Sequence, residues 1–324
     1  MWIVRPAQIE DVPSLAALCA AQGMPVSSLP RDTERLCARV EASRRAFAGE
    51  VSVQDARYLF VLEACDSGEL VGAAGLDACA GQGQPFYSYR RDALIHASRE
   101  LDVAQRVEVL YISHELSGSA VLCAFMMQAG LRGTLAMTLL SRARLLFIAA
   151  HRERFGEQLV VELQGVQGPA GAVPFWDSLG RHFFDMDFAR ADQLSGERSR
   201  TFIAELMPPH PIYVTLLDDP AQQALGQADP RVYDSLALLR AEGFRMGRHV
   251  DIFDGGPTLQ APIDALQTLR ERRPGIPVGD QAALLGWGTG MDFRAGLRVP
   301  ESVADVWHVP VQSASGDVAG RVST

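Results

Sequence analysis

The sequence contains no lysine: all 30 of its basic residues are arginine, set against 39 acidic residues for a net charge of −9 over 324 residues. Neither a Schiff-base lysine nor a phosphate-loop lysine can therefore exist in this chain. The exclusive use of arginine is read as a coding bias. An acidic chain without a basic cluster is poorly suited to nucleic acid. The five cysteines, Cys19, Cys37, Cys65, Cys79 and Cys123, are scattered and form no C-x-x-C pair, which argues against both a zinc site and a disulfide framework. Reduced thiols in a cytoplasmic protein are the expectation. No two of the seven histidines have the spacing of a helical metal pair, so no metal site is predicted. No apolar run reaches the length of a membrane span, and the opening Met-Trp-Ile-Val-Arg-Pro shows no secretory pattern.

What is present suits a soluble globular protein handling small molecules or other proteins. Hydrophobic residues make up 48% and charged residues 21%, in a chain long enough for one large domain or two ordinary ones. Ile3-Val4 reads as a short strand stopped at Pro6. Asp11 introduces a helix through Val12, Leu15, Leu18 and Cys19, and a second helix runs over 31–50. Tyr58 to Glu63 and Leu70 to Asp77 form a hairpin about the turn Asp66-Ser67-Gly68. Val107 to Ser113 and Val121 to Met127 are further strands. A long helix over 135–155, closed by Gly156, is followed by the strand Leu159 to Leu163 and a short helix over 174–181. Beyond these the spacing predicts strands at Phe202 to Met207 and Ile212 to Leu216 and a helix over 230–242. Val250 to Phe253 reads as a strand entering the turn Asp254-Gly255-Gly256-Pro257. The layout is mixed α/β. It is divided here as 1–195, a second α/β part of the same unit at 196–272, and 273–324 as linker, small β-rich unit and a tail disordered from about Ser313.

Several blocks carry a resemblance. Arg5-Pro6-Ala7, Ser28-Leu29-Pro30, the stretch from His96 to Leu101, Ser141-Arg142-Ala143-Arg144 and Pro174-Phe175-Trp176 are among them. So are the stretches from Gly180 to Phe188, from Phe202 to Pro208, from His210 to Tyr213 and from Asp251 to Thr258. Together, over roughly residues 1–272, they resemble the arginine N-succinyltransferases. The resemblance implies a Gcn5-related N-acyltransferase-like fold with a C-terminal extension. It also implies transfer of a succinyl group from succinyl-CoA to the α-amine of arginine, or of ornithine, in arginine catabolism, with succinyl-CoA as co-substrate rather than a resident cofactor. A paralogous beta subunit or a homo-oligomer is the implied partner; no nucleic acid or membrane is.

In that fold a glycine-rich R/Q-x-x-G-x-G/A loop ahead of the long helix presents N–H groups to a pyrophosphate. With Arg132 as the first residue, Leu135 and Met137 occupy the glycine positions; with Gln128 first, Leu131 takes the fourth position and Gly133 the sixth. Either Arg132, Gly133 and the amides after them hold a phosphate in altered form, or this is an ordinary strand-to-helix connection. The missing glycines point to the alpha class. A family succinyl-CoA contact falls at Phe125, where leucine is usual.

The reaction needs an uncharged amine and a proton or electrostatic support for the departing thiolate. In register with the family's proton-donating histidine stands Asp229, in Gly226-Gln227-Ala228-Asp229-Pro230. A carboxylate of ordinary pKa is a poor donor at neutral pH, and the alternative role is a helix N-cap before Pro230. His182 and Tyr213 are further catalytic candidates, each equally readable as structural. Glu162, Glu205 and Asp254 could bind a cationic substrate, or serve as surface or turn residues. These features leave open an active subunit, a non-catalytic assembly or regulatory subunit, and a stand-alone acyltransferase of altered substrate.

Overall fold

The computed structural model of the chain describes residues 1–22, 29–30, 32–81, 85–197, 205–277, 282–298, 303 and 305–311. The tail beyond Ser313 and the first half of the expected strand at Phe202 to Met207, as far as Ala204, lie outside these residues. The opening follows expectation: β1 (Trp2–Pro6), α1 (Val12–Ala21), α2 (Thr33–Phe47), then the hairpin of β2 (Arg57–Ala64) and β3 (Leu70–Asp77). Asp32 starts α2 by accepting from the Arg35 N–H at 3.0 Å. Next come β4 (Ser88–Ser98), β5 (Val103–Ser113), β6 (Ala120–Met127), α3 (Leu135–Ala150) and β7 (Gln158–Glu162). The rest supplies β8 (Ile212–Tyr213), β9 (Arg245–Val250), β10 (Pro257–Pro262), β11 (Arg273–Pro274), β12 (Ala283–Trp287), β13 (Arg294–Gly296) and β14 (Trp307–Pro310).

All fourteen join one mixed sheet, in the order β11-β14-β12-β13-β1-β2-β3-β6-β7-β10-β9-β4-β5-β8. The strands after Arg273 thus continue the same sheet beyond β1, where Ile3 faces Gly296. Every pairing among the described residues is antiparallel except β6–β7. On one face α1 and α2 bury Leu15, Leu18, Leu36 and Val40 against Leu59, Val61, Ala124 and Met126. On the other, α3 packs Leu139, Leu140, Leu146 and Phe147 onto Tyr58, Phe60, Ala74 and Leu76. A second core gathers around Trp176, stacked on Phe184 at 5.3 Å, beside Tyr89, Phe175 and Phe253.

Several elements depart from the sequence reading. The strand β4 was not foreseen; it pairs with β5 over eleven residues, from Ser88↔Ser113 to Ser98↔Val103. α3 stops at Ala150, because His151 leaves helical geometry (φ −131°, ψ 42°), and a short 3-10 turn intervenes before Gly156. Val214–Leu216 is a 3-10 turn, not strand. Glu205 and Leu206 are helical. Strand β9 ends at Val250, because Asp251 Oδ1 accepts from the N–H groups of Phe253 (2.7 Å) and Asp254 (3.1 Å) and bends the chain into a turn.

Arg142 and Arg144 are buried with almost the whole of α3. Arg142 is held by an ion pair with Glu242 of the helix Tyr233–Glu242 and by Gln267 at 3.3 Å. Glu242 also accepts from Thr268 N (3.0 Å) and Oγ1 (2.9 Å). Removing one member of such a pair strands the other charge in the core. Glu242→Ala is expected to destabilise the chain by about 3–5 kcal/mol in urea unfolding, whereas a loss under about 1 kcal/mol would show that the pair is not a structural support.

Candidate functional site

Strands β6 and β7 run side by side only at Ala120↔Leu159 and Val121↔Val160. Beyond Val121, β6 continues to Met127 while β7 is drawn towards β10, with which it pairs from Pro262↔Gln158 to Thr258↔Glu162. A wedge therefore opens between the carboxyl ends of two parallel strands, the place where ligands enter open α/β sheets. The β6 wall of this wedge is bulged. Ala124 adopts φ +51°, and the β3–β6 register slips between Ala73 and Gly75. Such a bulge turns two consecutive side chains to one face and leaves backbone groups outside the ladder. Here Cys123 and Ala124 both face α1 and α2, while Phe125 faces α3.

At the mouth of the wedge the chain turns into α3. Gly133 takes φ +70°, a left-handed conformation in which glycine is least strained. Thr134 is the N-cap residue, but its hydroxyl donates to Leu131 O at 2.6 Å and caps no amide. The Gly133 N–H points to Met137 Sδ at 3.3 Å, a weak acceptor. Met137, at one of the expected glycine positions, thus folds its thioether over the amide that an anion would otherwise take. Arg132 is exposed, and reaches Gln22 Oε1 (3.2 Å) and Arg231 O (3.5 Å).

The far wall is the segment after β7, held by two buried aspartates. Asp254 accepts from Gly165 N (2.8 Å) and Gly256 N (2.8 Å). Asp229 accepts from Gln167 N (3.1 Å) and Arg231 N (2.9 Å), and pairs with the Arg231 guanidinium at 2.7 and 2.8 Å. The packing has no slack: a Cβ on Gly165 would lie 2.4 Å from Asp254 O, and one on Gly256 2.2 Å from Leu163 O. Burial alone would raise the Asp229 pKa. The Arg231 guanidinium and two backbone N–H groups outweigh it and hold the carboxyl below its ordinary 3.8. Asp229 is therefore an ionised N-cap and loop anchor in this structure.

Phe125, Arg132, Gly133, Glu162, Asp229 and Asp254 are thus gathered around one cleft. Three other candidates lie elsewhere. Tyr213 is on β8, separated from β7 by four strands, with its ring 5.8 Å from His96. His182 is exposed on the helix Arg181–Phe184, and Glu205 is exposed. A cavity lined by Glu115, Ser119, Gln158, Arg248, His249 and Gln260 lies at the opposite end, where β6 and β7 begin, and includes none of the candidates. Sequence reasoning missed Arg144, whose guanidinium lies 5.1 Å from the Phe125 ring centroid. The available signal was an arginine inside an otherwise apolar helix. It also missed Arg231, which decides the charge state of Asp229.

A mixed α/β protein whose one parallel strand pair among the described residues splits beside a buried helix is the class defined by this architecture. The chain belongs to the arginine N-succinyltransferase family: the model described as "Arginine N-succinyltransferase beta subunit" matches residues 2–268. It is 43% identical to arginine N-succinyltransferase subunit alpha of Pseudomonas aeruginosa, over 91% of this chain and 89% of that one. It is 41% identical to subunit beta of the same organism, over 83% and 79%. The solved structure of arginine/ornithine succinyltransferase subunit AI from Pseudomonas aeruginosa superposes with a TM-score of 0.86 at 38% identity, covering 97% of this chain and 99% of that one.

The Asp229 ion pair sets a pH dependence. A depressed carboxyl pKa contributes stability above the ordinary value of 3.8 and loses it as pH falls through the lower native value. Asparagine caps as well as aspartate. Because both Asp229 oxygens accept backbone N–H groups and asparagine keeps only one acceptor, Asp229→Asn should remove one such bond at any pH and, in addition, a charge contribution on the order of 1 kcal/mol at pH 7 given the half-exposed Arg231. The gap between the two proteins should narrow as pH falls below 3.8 in unfolding measured across the acid range, and a gap independent of pH would refute the ion-pair account.

Proposed function

We propose that this chain is the alpha-type subunit of an arginine N-succinyltransferase, transferring succinyl from succinyl-CoA to the α-amine of arginine or ornithine in the cytoplasm. The observation that carries this reading is the open β6–β7 wedge leading to the uncapped N-terminus of α3. The β6 edge beyond Val121, which does not pair with β7 among the described residues, can hydrogen-bond an extended thioester arm as another strand would, and the helix end favours the phosphates beyond it. The loop offers Arg132 as a cation there, and the Met137 thioether is flexible enough to yield the Gly133 amide.

The chemistry is attack of a neutral amine on the thioester carbonyl, forming the C–N bond and expelling the thiolate, which takes up a proton. Amides beside the Ala124 bulge are placed to stabilise the carbonyl oxygen as it gains charge. Glu162, the last residue of β7, is suited to the cationic acceptor. Asp229 stands where the family carries a proton-donating histidine, but its carboxylate is ionised and paired. Proton delivery then falls to solvent or to a partner chain. This last point favours a second reading, in which the chain supports a catalytic paralogue. The alpha-type assignment is supported by the greater coverage of the alpha relative, 91% against 83% for the beta relative.

Thiol release from succinyl-CoA distinguishes these readings. The purified chain, alone and mixed with a paralogous subunit, is expected to release CoA only when arginine or ornithine is present. Release solely in the mixture would assign a supporting role, and silence in both would remove these substrates from consideration.

A further inference from the structure

Beside Phe125, inside α3, lies a cation that no carboxylate among the described residues neutralises. Arg144 is 3% exposed. Its Nε donates to Ser141 O at 3.4 Å and its Nη1 to Gly75 O at 3.3 Å, both long bonds to neutral acceptors. Its Nη2 makes no hydrogen bond among the described residues. Two residues earlier in the same helix, the equally buried Arg142 has a carboxylate partner in Glu242. For Arg144 the obvious candidate is Asp77, but that carboxylate is already taken by Arg39 (3.3 Å) and Arg57 (3.1 Å). All four charged groups act on the Cys123 thiol beside the bulge, and the one carboxylate among them is paired with the other two guanidiniums. Burial without a counter-charge lowers the Arg144 pKa to about 10.

A buried charge in this condition is costly unless something completes its coordination. The missing partner has a definite chemistry, because a guanidinium fork is matched by a planar carboxylate. Its position is also defined: Arg144 lies against Phe125, on the strand whose bulge faces the thioester arm. A dicarboxylic acyl group supplies both features needed there, methylenes to lie on the Phe125 ring and a distal carboxylate to meet the guanidinium.

We propose that Arg144 binds the distal carboxylate of a dicarboxylic acyl thioester, with Phe125 packing its methylenes, and thereby selects succinyl over uncharged acyl groups. The inference rests on the acyl-transfer reading above, and makes Arg144 a specificity residue rather than a pin for the β6 bulge.

Calorimetric binding of succinyl-CoA and butyryl-CoA to the full chain tests it, since butyryl carries a methyl where succinyl carries its carboxylate. The wild-type chain is expected to prefer succinyl-CoA by at least ~30-fold, because a site with a buried polar group rejects ligands that leave it unpaired. Arg144→Met keeps the side-chain bulk and should erase the preference by weakening succinyl-CoA alone. Arg144→Lys keeps the charge but loses the fork, and should retain part of the preference. Equal wild-type affinity for the two thioesters, no binding of either, or parallel loss of both in the variants would overturn the proposal. If Arg144→Met fails to fold, the Lys variant decides: a weakening confined to succinyl-CoA supports the proposal, and equal weakening refutes it. The readout needs no acceptor amine. A chain that discriminates the thioesters yet releases no thiol with arginine would uphold Arg144 while refuting the arginine assignment.

Discussion

The structure depends on keeping two parallel strands apart. A β-ladder extends itself wherever edges are free, because each unpaired N–H and C=O gains a hydrogen bond by closing. β6 and β7 nevertheless pair at only two positions. β7 is committed to β10 on its other side, and the chain after it is fastened by Asp254 to Gly165 and by Asp229 to Gln167. Those two carboxylates replace the ladder bonds the segment gives up. They anchor three separate stretches of sequence to each other, so the wedge is a property of the whole fold.

The second constraint is charge inside the helix that spans the wedge. α3 is buried almost all round, as expected of a core helix, yet it carries two arginines. Arginine tolerates this better than lysine, since its delocalised charge is more weakly hydrated and its fork satisfies several acceptors at once. One of the pair, Arg142, is met by Glu242 and helps fasten α3 to the helix Tyr233–Glu242. The other faces Phe125 with carbonyls only. The same residue type thus meets a carboxylate in one place and only carbonyls and an aromatic ring in the other.

Much of the fold is legible in the sequence. Alternation and turn residues locate β2, β3, β6 and β7, and the N-cap Asp32 begins α2. The misreadings have two different causes. Val250 to Phe253 has strand composition, but the Asp251 side chain competes for the backbone amides and makes a turn. β4 was overlooked because its outer half, with Ile95, His96 and Ala97 exposed, lacks the apolar alternation of a half-buried strand.

Sequence by itself determined the mixed α/β class, the family, and the residue types available at the cleft: Phe125, Leu135, Met137, and Asp229 in place of histidine. These follow from identity and local order, which the chain carries without folding. Only the tertiary structure decided what those residues do. Asp229 is ionised because Arg231 and the Gln167 amide reach it, and the Gly133 amide is covered because the Met137 sulfur turns back upon it. Arg144 meets no carboxylate among the described residues, only the Ser141 and Gly75 carbonyls, while Asp77 pairs with Arg39 and Arg57. Charge state and availability depend on what lies within a few ångströms, and most of those neighbours are distant in sequence.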